Sequence, residues 1–464
     1  MDYKILFLFL VLFINYVNAD NKYMVFKFRT NINLKEVNDE NYMLKKVDQK
    51  IYIDLDIGEP SQKIPMVLKT YQYPTYVVSK HSESADRVQV KYDSKISKNY
   101  YYDPQLITNL LLYDFKQGYF SNDSLNINPK INNFSFFLAT DFSFPTQNIS
   151  GEIGLSKENP DVTVFKGYAS KTQFIQQLLN NQLINKKIFG ILYDTEYEGR
   201  LIFGDYLFNV EKNYKEKDMN EFTLEDDVPD KNNKMWLLKF DLNCLGGEDN
   251  AIIYQEKNAY GFFQIEYGLM IGSTTFLNGF IKDYFMNKNC KNETISASAS
   301  FVEYYCTDKS QFQDFPDISF KSSGKYNFTF TKDELFIKKG NKYIFQIIFN
   351  LFVEDIGIQY WKIGQSFFKK YAIFLKEEEK SAKLSYYLNQ KFDNKEDKGG
   401  ISTQVVVIIV LSVVLAVLIA GIIVYLVYFF PKRRKKRAQE LNDDDYVYTP
   451  QKEPKDQLLG EDIN

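Results

Sequence analysis

The chain has 464 residues, a formal net charge of −3, three cysteines and one histidine. A near-neutral balance leaves no electrostatic footprint for nucleic acid. Three scattered cysteines cannot frame a disulfide mini-domain, and with one histidine they form no zinc cluster of the usual spacing.

The elements follow in chain order. Residues 5–14 are an unbroken apolar run behind Lys4, and Val17-Asn18-Ala19 offers small residues for cleavage, so 1–19 reads as a secretory signal peptide. Residues 20–46 carry Lys22, Lys27, Arg29, Lys35, Lys45 and Lys46, and read as a surface strand or a short propeptide. Ile51, Ile53, Leu55 and Ile57 alternate with polar residues, and Ile64, Met66 and Leu68 do the same after the Pro60-Ser61 turn, so 51–69 is expected to be a hairpin. His81 lies in a polar stretch that reads as an exposed loop. The sequence contains no G-x-S-x-G elbow, P-loop or dinucleotide glycine fingerprint, so carboxylates are the main candidates for catalysis, and neither cofactor nor metal is expected.

The apolar residues of Thr172–Ile184 fall on one helical face, and 187–205 reads as a second hairpin. Many short strands over this length imply an all-β sandwich or barrel-like architecture. In an oxidising compartment Cys290 and Cys306 could close a short loop, with Cys244 free or paired with another chain. Residues 389–404, polar and lysine-rich, read as a stalk. Val405–Phe430 lacks charge and proline, and at about 1.5 Å per residue it can cross a bilayer. The basic run 432–437 follows and keeps the tail, 431–464, in the cytosol. The expected topology is therefore a single-pass type I membrane protein of the secretory pathway, in the plasma membrane or an acidic endolysosomal or vacuolar membrane. The sequons at Asn122, Asn133, Asn148, Asn292 and Asn327 all precede the span, as a glycosylated lumenal surface requires.

The ordered motifs carry a family resemblance. Ile57-Gly58-Glu59-Pro60-Ser61-Gln62, then an apolar strand, resembles the opening of pepsin-like aspartic proteases. Gly151–Leu155 is similar to the family's G-I-L-G-L, Glu198–Gly204 to its G-E-L-x-F-G, Phe315–Phe320 to L-P-D-I-x-F, and Trp361–Tyr371 to W-I-L-G-D-x-F-L-R-x-Y. Cys306 resembles the second cysteine of the family's C-terminal-lobe disulfide. The resemblance implies a bilobal, all-β fold with an N-terminal lobe over 47–210 and a C-terminal lobe over 211–388.

It also implies two aspartates sharing a proton. Where the first would stand, the chain has Lys69-Thr70-Tyr71-Gln72. The best match for the second is Gln264–Gly268, which puts Glu266 at the aspartate, Tyr267 at the threonine that ties the two loops together, and Gly268 at the glycine. Gly272-Ser273-Thr274 is an alternative reading of that turn. Gln365 and Lys376 stand where the family usually carries aspartates, and Tyr113 is a candidate for the flap tyrosine. Either Lys69 and Glu266 form an ion pair or Lys69 snorkels into an open cleft, in a site bordered by Thr70, Tyr113, Tyr267 and Gly268. The expected function is a catalytically silent ectodomain that binds peptide or protein; the alternatives are an active membrane-bound aspartic endopeptidase and a structural surface antigen.

Overall fold

The period-two pattern at 51–57 forms the strand Ile51–Ile57, with its apolar residues buried and Tyr52, Asp54 and Asp56 half-buried. It pairs antiparallel with Gln62–Lys69, with Ile57 opposite Gln62 and Tyr52 opposite Val67. In the turn Gly58 adopts φ +88°, a left-handed conformation that glycine reaches without a Cβ penalty. The computed structural model describes residues 22–389 apart from 33–36, 38–41, 73, 83–87, 109–114, 143–148, 158–167, 225–234, 248, 250, 297–300, 352–359 and 380. The signal-peptide, span and tail segments, residues 390–404 of the stalk, Tyr113 and Asn148 lie outside the described residues; Asn389, read as the start of the stalk, is buried and donates to the carbonyls of Tyr193 and Lys369. Among the described residues no helix is long and apolar enough to cross a membrane.

Two large sheets organise the described residues, one of 13 strands and one of 11. The first begins with Met24–Thr30, which pairs with both Glu198–Phe203 and Ile51–Ile57. It also takes in three strands from later in the chain: Asn220–Leu224, Tyr371–Glu377 and Ala382–Leu388. The hairpin expected within 187–205 is formed by Ile188–Tyr193 and Glu198–Phe203. The predicted helix is shorter than its apolar pattern. It runs Phe174–Asn180 and buries Phe174, Ile175 and Leu178. Gln182, at φ +55°, turns the chain out of the helix, and Leu183 and Ile184 reach the same core from the following loop.

The sheets contain an internal repeat. In the first, Gln62–Lys69 runs parallel to Gly151–Gly154, which is flanked antiparallel by Tyr76–Val78, itself parallel to Ile131–Phe142. In the second, Ala251–Phe263 runs parallel to Tyr360–Ile363, flanked antiparallel by Met270–Gly272, itself parallel to Ile347–Asn350. Aromatic packing fixes the second copy. Trp361 is fully buried, with the rings of Phe240, Phe276 and Phe320 around it at 5.2–6.3 Å.

Cys290 and Cys306 form a disulfide. Cys244 is a free, buried thiol, and burial pushes its pKa up, so it offers no surface for pairing with another chain. Of the sequon asparagines, Asn133, Asn292 and Asn327 are exposed, whereas Asn122 is half-buried and accepts a 2.6 Å hydrogen bond from Ser135.

Candidate functional site

The repeat fixes which residues face each other. In the first copy Val67, Leu68 and Lys69 lie opposite Glu152, Ile153 and Gly154. In the second, Phe262 and Phe263 lie opposite Lys362 and Ile363. One step further brings Gln264 to Gly364, as Lys69 is brought to Gly154. The flanking strands agree. Tyr76, opposite Glu152, is seven residues after Lys69, and Ile271, opposite Lys362, is seven residues after Gln264. Gln264 is therefore the counterpart of Lys69.

This corrects the sequence reading, which gave that place to Glu266. Glu266 lies two residues beyond it, level with Tyr71. Tyr267, read as the tying threonine, is level with Gln72, and the residue level with Thr70 is Ile265. The tie confirms the register. Thr70 is fully buried, donates its hydroxyl proton to the carbonyl of Phe263 and accepts from the backbone N–H of Ile265 at 3.4 Å. It thus brackets Gln264. Ile265 has no hydroxyl to return the bond, so the tie runs from one side.

Lys69 is 4 % exposed, and its ammonium meets Glu152 at 2.9 Å, not Glu266. It also donates to the Tyr71 hydroxyl at 3.0 Å and lies 5.1 Å from that ring's centroid. Glu152 is 0 % exposed. A charge buried this deeply is tolerated when an opposite charge is held against it. The residue level with Glu152 in the second copy is Lys362, so the two halves carry opposite charges at matching positions.

On the other side, Gln264 is half-buried and its Oε1 has no hydrogen-bond partner among the described residues. Glu266 is buried with neither carboxyl oxygen hydrogen-bonded there. Desolvation raises its pKa to about 7, opposed by the charges of Lys69, Lys50 and Lys362. Lys50 donates to the backbone carbonyl of Glu266 at 2.9 Å. The ammoniums of Lys50 and Lys362 lie 5.7 and 4.9 Å from the centroid of the Tyr267 ring.

The remaining candidates have structural roles. Gly268 packs against the helix Tyr42–Val47, where a Cβ would stand 1.9 Å from the carbonyl oxygen of Lys46. Ser273 caps the helix Thr274–Phe276 through the N–H of Phe276, and its hydroxyl contacts the buried Glu256, so Gly272–Thr274 is not the active-site turn. Gln365 is fully buried, donates to the carbonyls of Gln49 and Ile265, and accepts from the Tyr193 hydroxyl at 3.0 Å. An ionised aspartate could not make those two donations. Lys376 pairs with Glu378 at 2.7 Å, and His81 is exposed.

Sequence reasoning missed Gln264, Glu152, Lys50 and Lys362. The seven-residue spacing from each turn to its next strand was the signal that could have found Gln264.

Two β-sheets, each with a parallel strand pair ending in one of two matched turns tied by a buried threonine, define a two-fold repeated scaffold of the aspartic-protease type. A family model for eukaryotic aspartyl proteases matches residues 50–385. The chain belongs to that family. Among curated proteins, none matches it.

Proposed function

We propose that the chain is a membrane-anchored, non-hydrolytic member of the aspartyl protease family whose cleft holds peptide or protein. The observation that carries this reading is the pair at the matched turns, Lys69 and Gln264. Peptide hydrolysis by this family needs two carboxyl groups close enough to share a proton, one taking a proton from water and the other giving one up. A charged lysine accepts no proton, and a glutamine side chain does not ionise in the working range. The Lys69–Glu152 pair supports it further, because Glu152 favours the charged ammonium. Glu266 supplies one carboxyl of raised pKa, and the charges acting on it are those of Lys69, Lys50 and Lys362. The leader at 1–19 and the span at 405–430 support a lumenal or extracellular cleft in a membrane of the secretory pathway.

The test is retention. A mixed peptide library is passed over immobilised full-length chain, and bound peptides are identified by mass spectrometry. Recovery of a distinct set of intact peptides is expected. Shortened peptides would return the chain to the active endopeptidases, and no retention would leave it a structural surface antigen.

A further inference from the structure

We infer that the cleft selects acidic peptides, with a ligand carboxylate bridging Lys50 and Lys362 beside the ring of Tyr267. The inference rests on the peptide-binding reading above and adds the class of ligand.

Lys50 and Lys362 both lie within cation–π reach of a single ring, at 5.7 and 4.9 Å from its centroid. Beyond that ring, Lys50 contacts one backbone carbonyl, and Lys362 reaches the Tyr267 hydroxyl at 3.5 Å. Among the described residues, no carboxylate lies within ion-pair distance of either ammonium. Lys69, by contrast, has Glu152 at 2.9 Å. Two ammoniums thus lie against one half-buried aromatic ring, and among the described residues neither has a carboxylate at ion-pair distance.

Burial and the charge of Lys69 lower the Lys50 pKa, opposed by the charges of Glu266, Asp48 and Glu152. Glu266 is close enough to be affected by Lys69, Lys50 and Lys362, yet its oxygens touch none of them. A ligand carboxylate accepting from both lysines would form two charge-assisted hydrogen bonds.

Lys362 also sits at the right place for a cleft ligand. It lies opposite Phe262, two residues before Gln264 and so on the same face of the strand. Phe262 and Tyr360 stack at 5.0 Å beside it, giving an apolar shelf next to the charge. An extended chain with acidic and apolar side chains fits that surface.

The test uses full-length chain in detergent micelles and a short fluorescent peptide alternating Glu with Leu, against its isostere with Gln in place of Glu. Anisotropy titrations are run at low and moderate salt, and peptide integrity is checked by mass spectrometry. The acidic peptide is expected to bind roughly tenfold tighter, a difference of about 1.4 kcal/mol. Lys362→Met and Lys50→Met should each remove most of that preference, while Lys362→Arg keeps it, with unchanged melting confirming the folded state. Equal affinity for the two peptides would overturn the acidic selectivity and leave the peptide cleft standing. A preference that survives Lys362→Met would overturn the site. No binding of either peptide, or cleavage of them, would overturn the cleft reading itself.

Discussion

Lys69 changes meaning once its partner is known. Opposite Glu266 it would have been half of a substituted dyad; against Glu152 it is part of a new buried pair within one lobe's turn and strand. Removing one member of a buried pair leaves the other charge uncompensated, at a cost of about 3–5 kcal/mol. Lys69→Met is therefore expected to lower unfolding free energy by that order, and Lys69→Met with Glu152→Leu to recover most of it. A Lys69→Met protein as stable as the parent in urea denaturation would show that the pair does not matter. The lysine was legible because Ile57, Gly58 and Pro60 anchor its strand. Gln264 was not, because it carries no acid, and Glu266 two residues on does. Glu152 was hidden inside a match to an apolar strand, where a buried carboxylate is not expected without its partner in view.

At the scale of elements, alternation and turn residues gave the hairpins at 51–69 and 188–203 correctly. They overran the helix after Asn180, because Leu183 and Ile184 keep the helical period in sequence while packing from a loop. Pairings between distant strands left no mark in local pattern. The parallel register of Ala251–Phe263 with Tyr360–Ile363 is one, and it is what moves the site by two residues. The disulfide joins the outer ends of the hairpin Lys291–Ser296 and Phe301–Cys306, with a sequence separation of 16. Closing a loop of that size stabilises by about 3 kcal/mol through the unfolded chain. Replacing Cys290 and Cys306 together by serine is expected to lower stability by that order. Unchanged thermal unfolding would show that the hairpin holds without its link.

At the scale of the whole molecule, the described residues bury several ionisable groups of both signs. Burial raises the pKa values of Glu256 and Glu266 to about 7, and lowers those of Lys46 and Lys369 to about 8 and about 7. The signs oppose each other in different windows. The glutamates hold their protons in the folded chain where the unfolded chain has lost them, so their contribution is full below pH 4.5 and is lost as pH rises through about 7. The lysines have released protons in the folded chain where the unfolded chain still holds them, so stability rises again from there toward pH 10.5. Melting temperature measured across that range should therefore pass through a minimum near neutral pH, and Glu266→Gln should make its acidic side shallower. A maximum near neutrality would contradict the assigned burial.

The central claim is that the family scaffold persists while Lys69 and Gln264 have replaced its two acids. Its most direct measurement is a proteolysis assay on the full-length chain with unfolded protein substrate from pH 3 to 7, with and without pepstatin. No cleavage above a no-enzyme control is the expected result at every pH. Pepstatin-sensitive cleavage that disappears in Glu266→Ala would contradict the claim, because it would place a working carboxyl where the register puts none.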